Sequence, residues 1–399
     1  MRLIERRSYL RQLESVRGVP DIRVLRGVRG SGKTELLSDL AHQISLSDPN
    51  ANIIRAELRD SPELRDYGAL HSFAEESFLE GKENCLLIDD ADLCPSVELA
   101  LASLHAMGKF DIYITCSGDF LSLSPLGTLL TGRTFDIPVF PFSFSEFLEQ
   151  SGSPDRYAAF REYMFRGGMP GSCLCGSSEE RQRCVRKEVL ESVFRDIGAN
   201  GRVRNKGLPE RLTRHLLQNA GRPMTVKEIA AELGAAKGRK PVSGTGTALE
   251  LLCNACAFHR IRQLDIRSVY RLFPESLYYP VDPSFFHALP GVREPDPVQV
   301  LRAIAAVELM RRGYEVWTGV PGGNDADLIG IKFGERLCLK VSGIIDSNEA
   351  LLREAAPLHE IRDGSERLIL AKTRKPEQQY EGIRVLDIAD WLLSPEPES

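Results

Sequence analysis

The stretch from Gly27 to Thr34 reads GVRGSGKT, and it constrains this chain of 399 residues more than any other feature. An apolar run, Ile22 to Leu25, precedes it, and a helical pattern starts at Glu35. A Gly-x-x-x-x-Gly-Lys-Thr loop between a strand and a helix is typical of phosphate binding. The glycines let backbone N–H groups point at phosphate oxygens, and the helix N-terminus adds partial positive charge. The predicted phosphate-binding residues are Gly27, Val28, Arg29, Gly30, Ser31, Gly32, Lys33 and Thr34.

A second motif, Leu86-Leu-Ile-Asp-Asp90, has the composition of the other half of such a site. Lys33 would reach the β- and γ-phosphates, and the Thr34 hydroxyl would ligate Mg²⁺ together with Asp89. Asp90 occupies the position that orients the attacking water, as a catalytic residue. Its side chain is one methylene shorter than glutamate, so we expect the water to be held less well and hydrolysis to be slow.

Two further residues are candidates for the chemistry. Ser117 ends an apolar strand that should lie between the two phosphate-site strands, where a hydroxyl would sense the γ-phosphate; the alternative is a strand-end cap. Arg133 is a candidate arginine finger, acting in cis or from a neighbouring subunit. The alternative for Arg133 is an ordinary surface arginine.

The order of predicted elements indicates an α/β fold. Over the first 145 or so residues, short apolar strands alternate with helices, which is typical of a parallel, doubly wound sheet with ligands at the carboxyl ends of the strands. Three helices and a small hairpin follow Leu208, as in a winged helix-turn-helix. The predicted domains are a P-loop α/β core (1–142), a helical lid (143–206), a winged helix-turn-helix (207–289), a last α/β domain (290–394) and an acidic tail (395–399).

Local signals place several boundaries. Ser143 and Glu146, like Thr225 and Glu228, have the spacing of a capping box that opens a helix. The hairpin is predicted from alternating segments, and the last domain from a helix, three strands, a helix and a strand. The predicted hairpin segments are 261–266 and 269–273, with 277–281 beyond them.

Charge is distributed unevenly along the chain. The net charge is −5, yet residues 179–271 contain 19 Lys or Arg against 10 Asp or Glu. Such a segment predicts DNA as a partner, and the alternative is a solvated face that pairs with acidic parts of the protein. No apolar run approaches the roughly 20 residues needed to span a bilayer, and the N-terminus has no apolar signal region, so we expect a cytoplasmic protein without a membrane partner. Nine scattered cysteines argue against a disulfide framework.

Taken together, the motifs make the chain resemble the prokaryotic AAA-type ATP-binding proteins of the archaeal-ATPase, STAND-like group. That group pairs an N-terminal P-loop ATPase with a C-terminal domain of unknown function. The resemblance covers nearly the whole chain. It rests on the residues Val24–Thr34, Leu86–Asp90, Asp111–Ser117, Leu129–Arg133, Pro141–Leu148, Gly167–Pro170, Tyr278–Asp282 and Glu308–Val316.

The resemblance implies that the phosphate belongs to ATP, that Mg²⁺ is the metal, and that Arg133 is functional. This chain departs from the family pattern in having Asp89-Asp90 where Asp-Glu is usual. It also has Cys116-Ser117-Gly118 in place of Gly-Ser-Asn, so the usual sensor amide is missing. Both departures favour slow turnover.

The C-terminal domain of the family resembles a restriction-endonuclease fold, whose members bind metal through a helix Glu, an Asp and a Glu-x-Lys pair. Glu308 and Asp327 would match the first two. Lys340-Val-Ser342 stands at the third, where a lysine repels the metal, so an inactive domain is expected.

Three functions follow from these features. The first is an ATP-binding, slowly hydrolysing switch that forms a homo-oligomer or acts on a protein partner of unknown identity. The second is an ATP-modulated DNA-binding regulator. The third, disfavoured by Lys340, is an ATP-dependent nuclease. In the second, the contacting cations would be Lys237, Arg239, Lys240, Arg260, Arg262 and Arg267.

Overall fold

A computed structural model describes residues 4–118, 126–199, 201–235, 242–265, 273–319, 326–361 and 363–395. The chain divides into two compact units. The first contains Met1–Phe140 with Asn254–Cys256, and the second contains Pro141–Cys253 and Ala257–Ser399. Within the described ranges, no helix is both long and apolar enough to cross a membrane.

The first unit is built around a sheet of five parallel strands. The strands are β1 (Ile22–Gly27), β2 (Asn52–Glu57), β3 (Asn84–Asp89), β4 (Asp111–Ser117) and β5 (Thr134–Pro138). Their order is β2-β3-β4-β1-β5, so β4 does lie between β3 and β1, as predicted. The helices are α1 (Arg7–Ser15), α2 (Lys33–Ser47), α3 (Tyr67–Glu76) and α4 (Val97–Met107), with short 3₁₀ turns at Pro62–Arg65, Ala91–Leu93 and Gly127–Leu130.

Strand alternation explains how this sheet is covered on both faces. In β3, Leu86 and Ile88 pack in a core with side chains of α3 and α4. Cys85 and Leu87 point the other way, into a core with α1 and α2. All six residues of β3 are buried, which explains the continuous apolar run Cys-Leu-Leu-Ile between its two polar ends. The prediction of a parallel, doubly wound α/β core is therefore confirmed.

The second unit contains a mostly antiparallel sheet of eight strands in the order β12-β13-β11-β10-β9-β8-β6-β7. These strands are β6 (Phe258–Gln263), β7 (Ser276–Pro280), β8 (Glu315–Thr318), β9 (Leu328–Lys332), β10 (Glu335–Val341), β11 (Glu366–Ala371), β12 (Gln378–Tyr380) and β13 (Ile383–Asp387).

Helices make up the rest of the second unit, and both predicted capping boxes are present at their starts. Ser143 and Glu146 exchange hydrogen bonds, as do Thr225 and Glu228. The helices are α5 (Phe144–Ser151), α6 (Arg156–Arg166), α7 (Pro170–Cys173), α8 (Ser178–Cys184), a π-helical turn (Val185–Leu190), α9 (Glu191–Ala199), α10 (Leu208–Gln218), α11 (Val226–Ala235), α12 (Thr245–Asn254), α13 (Phe285–Ala288), α14 (Pro297–Arg311), α15 (Asn348–His359) and α16 (Ile388–Leu393).

β6 pairs antiparallel with β7, which corresponds to the segment predicted as 277–281 beyond the hairpin, and the pair is not an isolated wing. On its other side, β6 pairs parallel with β8. β6 starts at Phe258, earlier than the predicted 261. Positions 266 and 269–272 of the predicted hairpin segments, and 396–399 of the predicted tail, lie outside the described residues, so the predicted hairpin stays a prediction. The winged helix and the restriction-endonuclease-like domain stay predictions.

A buried carboxylate joins two of the family-like motifs inside the second unit. Asp282 is 1% exposed. It accepts hydrogen bonds from the backbone N–H of Gly168 at 2.7 Å and of Ser284 at 2.9 Å, and from the Ser284 hydroxyl. Burial raises the pKa of Asp282, and these hydrogen bonds work against that rise. The chain near Gly168 is thus fixed by tertiary contacts.

Candidate functional site

The phosphate-loop sequence forms the expected strand–loop–helix unit. β1 ends at Gly27 and α2 begins at Lys33. Gly32 precedes the helix with a φ of 91°, a left-handed conformation that a side chain would strain. The loop thereby places the N-terminus of a 15-residue helix at the carboxyl edge of the sheet, where backbone N–H groups lack helical partners.

Lys33 is buried in this loop, with 5% of its surface exposed. Its ammonium donates to the carbonyl oxygens of Gly27 and Val28, both at 3.0 Å. Burial lowers the pKa of Lys33, because removing the ammonium from water disfavours its charged form. A buried cation held by two carbonyl oxygens would gain strongly from an anion in the loop.

The two predicted metal ligands lie side by side. The Thr34 hydroxyl donates to Asp89 Oδ2 at 2.8 Å. The other oxygen, Oδ1, accepts from the Thr115 hydroxyl at 2.5 Å, and Thr115 Oγ1 in turn accepts from the backbone N–H of Asp90 at 2.9 Å. Asp89 is thus oriented by two hydroxyls, in the way that outer-shell groups orient the carboxylates that bind metals.

These residues fit a nucleotide with Mg²⁺. Hydroxyl and carboxylate oxygens are the ligands that Mg²⁺ prefers, with phosphate and water completing its shell. In the described part of the chain, nothing hydrogen-bonds to the buried Ser31 hydroxyl of the loop. Lys33 would supply the charge and Ser31 a donor to phosphate, while Thr34 and Asp89 would hold the metal.

Asp90 lies at the carboxyl end of β3, as expected, but it has a hydrogen-bond partner that the sequence did not suggest. It follows β3 in a left-handed conformation, with a φ of 52°. Arg59 donates from Nη2 at 2.5 Å and from Nε at 2.8 Å to the same oxygen, Asp90 Oδ2. The carboxylate that would orient water is therefore held by a cation from the segment after β2.

Ser117 lies beside the start of the loop, because it pairs with Gly27 across β4 and β1. Its backbone N–H donates to Asp92 Oδ1 at 3.2 Å. Burial raises the pKa of Asp92, while the nearby Lys33 opposes the rise. Asp92 is a third carboxylate at this edge of the sheet, and together with Thr115 and Arg59 it was missed by sequence reasoning.

Arg133 lies at the opposite edge of the sheet. Its carbonyl accepts from Ile22 at the start of β1, at 2.8 Å, whereas the phosphate loop follows the other end of that strand. Five residues of strand separate the two ends by about 16 Å. The structure thus places Arg133 at the amino edge, which does not favour action in cis. Action on a neighbouring subunit stays a prediction.

The N-terminal segment contacts the phosphate loop, and sequence reasoning missed these contacts as well. The buried guanidinium of Arg6 donates to the carbonyl oxygens of Ser31 at 3.1 Å and Phe140 at 2.9 Å. It stacks over the ring of Tyr9, whose hydroxyl accepts from the backbone N–H of Phe140 at 3.1 Å. The positions of Arg6 and Tyr9 one helical turn apart were the only available signal.

Thr115→Val tests the hydroxyl that orients Asp89. The valine keeps the shape but leaves the Asp90 N–H and one Asp89 oxygen without this partner. We expect a loss of about 1 to 3 kcal/mol in the free energy of unfolding, measured by urea denaturation. Ser117→Ala, whose side chain has no such role, is the matched control. Equal midpoints for Thr115→Val and the wild type would show that this hydroxyl does not organise the site.

The nuclease-like residues are paired with cations in the second unit. Glu308 accepts from Arg312 at 2.8 Å and Arg311 at 3.1 Å. Asp327 lies 2.9 Å from Arg302 and 3.4 Å from Lys340. Because arginine guanidinium groups and the Lys340 ammonium already neutralise both carboxylates, this arrangement does not favour a metal site.

The predicted DNA-contacting cations are only partly described. Lys237, Arg239, Lys240 and Arg267 lie outside the described residues. Of the remaining two, Arg260 donates to the Ser276 hydroxyl at 2.9 Å, and the Arg262 guanidinium lies 4.8 Å from the centre of the Trp317 ring. Both arginines thus have partners within the sheet.

Two family models match this chain. The one described as "AAA domain" matches residues 20–148, and "Domain of unknown function (DUF8612)" matches residues 157–296. The first match covers most of the first unit, whose strand order and phosphate loop have the P-loop AAA-type fold.

Among individual proteins, an uncharacterized protein of Haemophilus influenzae is 28% identical over 404 residues, which cover 98% of this chain and 99% of that protein. Among solved structures, Cdc6p from Pyrobaculum aerophilum aligns at 14% identity and a TM-score of 0.33, covering 76% of this chain and 95% of that one. AMPPCP-bound DnaA from Aquifex aeolicus aligns at 14% identity and a TM-score of 0.32, covering 63% and 88%. Alignments this weak carry no conclusion about activity or partners.

Proposed function

We propose that this chain binds ATP with Mg²⁺ in the loop Gly27–Thr34, hydrolyses it slowly, and works as a nucleotide-dependent switch. The observation that carries the proposal is the contact between Thr34 and Asp89, 2.8 Å apart, next to the buried Lys33. A cation for phosphate and two oxygen ligands for Mg²⁺ thus meet at one edge of the sheet. This is the set of groups that phosphoryl transfer requires for binding and charge stabilisation.

Hydrolysis also needs a positioned water molecule, and this site is poorly arranged to position one. Asp90 is the candidate that would orient it, but its Oδ2 is held by Arg59. The short side chain and the ion pair both hinder the placement of water near a γ-phosphate. A misplaced catalytic group lowers the rate of hydrolysis without lowering nucleotide affinity. We therefore expect tight ATP binding with slow turnover.

The Arg59 contact leads to a measurable prediction. Arg59 is half-exposed although Asp90 is buried, so the ion pair is worth about 1 kcal/mol. Arg59→Gln, which releases Asp90, is therefore expected to raise kcat for ATP hydrolysis about fivefold. Asp90→Asn should lower it by about 100-fold with ATP affinity unchanged. Phosphate release under saturating ATP measures both, and Arg11→Gln, an exposed arginine of α1, is the control. A slower Arg59→Gln enzyme would mean that Arg59 assists the reaction.

Arg133 enters the proposal only as a group that acts on a second copy. Its side chain is exposed, and its position at the amino edge suits contact with another molecule. In that case hydrolysis per chain should rise with protein concentration in the wild type, and Arg133→Ala should remove the rise. A rate per chain that is independent of concentration, and equal in the variant, would leave Arg133 a surface residue.

DNA binding through residues 179–271 remains an untested prediction, favoured by the excess of 19 basic over 10 acidic residues. Phosphate contacts make such binding fall steeply with salt. Fluorescence anisotropy with a duplex oligonucleotide tests it, and absence of binding at low salt would remove this function.

A further inference from the structure

Two cysteines of the second unit lie near Gly171 of α7: Cys175, in the segment between α7 and α8, and Cys184, the last residue of α8. Cys175 Sγ lies 3.7 Å from the carbonyl oxygen of Gly171. Cys184 Sγ lies 3.6 Å from the position that a Cβ on Gly171 would take. The Cys175 side chain lies close enough to Cys184 to contribute to the raised pKa of the Cys184 thiol. Both sulfur atoms therefore lie beside Gly171, which has no side chain to keep them apart.

Both thiols are partly exposed, so a small reagent can reach them. This distinguishes them from Cys85, Cys94 and Cys338, which are buried. Reactivity of a cysteine depends on such access and on the ease of forming the thiolate.

A carboxylate stands next to the second thiol. Cys184 Sγ donates to Glu188 Oε2 at 3.5 Å. Glu188 lies in the π-helical turn Val185–Leu190, a rare geometry that is frequent at functional sites. Burial, with the adjacent Glu188 carboxylate, raises the pKa of Cys184 to about 12, so this thiol is protonated near neutral pH. Glu188 is placed to accept its proton when the thiol reacts.

We propose that Cys175 and Cys184 form a reactive thiol pair that closes an intrachain disulfide by exchange with a low-molecular-weight disulfide. In the first step, the Cys175 thiolate attacks one sulfur of the small disulfide. A mixed disulfide forms on Cys175, and one small thiolate leaves and takes up a proton.

In the second step, Cys184 transfers its proton to Glu188 and attacks the Cys175 sulfur. The Cys175–Cys184 bond forms and the second small thiolate leaves, taking the proton from Glu188. Two protein thiols are oxidised, and one small disulfide is reduced to two thiols. No other oxidant is needed. A disulfide formed in this way is reversible, as expected for a regulatory rather than a structural bridge.

The test uses the full-length chain, treated with oxidised glutathione at pH 7.5 without denaturant. Free-thiol titration should show the loss of two of the nine thiols. Peptide mapping by mass spectrometry without reduction should join the peptides that contain Cys175 and Cys184. Dithiothreitol should restore both thiols.

Variants separate the two steps. In the Cys184→Ser variant, the reaction should stop at a glutathione adduct on Cys175. The Cys175→Ser variant should form neither the adduct nor the disulfide bridge. Glu188→Gln should slow ring closure about tenfold and accumulate the adduct. Cys173→Ser is the matched control, with bridge formation unchanged, and far-ultraviolet circular dichroism verifies folding of each variant. The proposal is overturned if wild type keeps nine thiols, if it retains a stable adduct on Cys175, or if the bridge joins other cysteines.

Discussion

Replacing Lys33 with alanine is expected to weaken ATP–Mg²⁺ binding by about 10- to 100-fold. A hydrogen bond to a charged group contributes about 1.5 to 3 kcal/mol, and Lys33 is the buried cation of the phosphate loop. The ammonium is not lost to solvent in the absence of ligand, since two loop carbonyls hold it at 3.0 Å. It is therefore ready to exchange those partners for phosphate oxygens.

Isothermal titration calorimetry with ATP and Mg²⁺ measures this effect. Lys82→Ala, which removes an exposed lysine of the same unit, is the matched control and should bind as the wild type does. Thermal unfolding without nucleotide shows whether Lys33→Ala remains folded. A folded Lys33→Ala protein with wild-type affinity would place the nucleotide elsewhere.

The second large effect is on stability, and it concerns Gly168. A Cβ at this position would lie 2.2 Å from the carbonyl oxygen of Phe142 and 3.0 Å from its backbone nitrogen. The two backbones cannot separate freely, because Phe142 N–H donates to Gly168 O at 2.7 Å and Gly168 N–H donates to Asp282 at 2.7 Å. We expect Gly168→Ala to lose about 3 kcal/mol in the free energy of unfolding.

Urea denaturation followed by circular dichroism checks this expectation. Gly176→Ala is the control, since its Cβ would meet only Glu180 Oε2, at an ordinary 3.6 Å. That variant should stay within about 0.5 kcal/mol of the wild type. Equal denaturation midpoints for the two variants would mean that the backbone near Gly168 adjusts without cost.

Much of the nucleotide site could be predicted because its signals are local. The loop needs glycines at fixed spacing, and Asp89 ends a fully buried strand whose apolar run is visible in the sequence. The sheet order then brings Thr34 and Asp89 together. Even the place of β4 between β3 and β1 followed from the usual winding of such sheets.

The partners of these residues could not be predicted in the same way. Arg59 and Asp90 are 31 residues apart, and Thr115 and Asp89 are 26 apart, so only the folded sheet brings them into contact. Thr115 and Ser117 both lie at the end of β4, and the sequence predicted a role for Ser117 alone. In the structure it is the Thr115 hydroxyl that donates to Asp89.

Long-range strand pairing also limited how much of the second unit could be predicted from the sequence. The helix Pro297–Arg311 and the strands β8 to β11 were predicted, since each has its own periodicity, but β12 and β13 were missed. That β6 would pair with β8 was not visible, because nothing local links Arg262 to Trp317. The hairpin therefore looked like a free wing in the sequence.

The proposal that Thr34 and Asp89 hold a metal beside a bound nucleotide is tested most directly by calorimetric titration of the full-length wild-type chain with ATP, with and without Mg²⁺. We predict one ATP per chain and tighter binding when Mg²⁺ is present. Asp89→Ala should bind ATP equally with and without the metal, because it lacks the carboxylate that ligates it. A folded wild-type chain that takes up no ATP at about 1 mM, an ordinary upper limit for substrate affinity, would contradict the proposal.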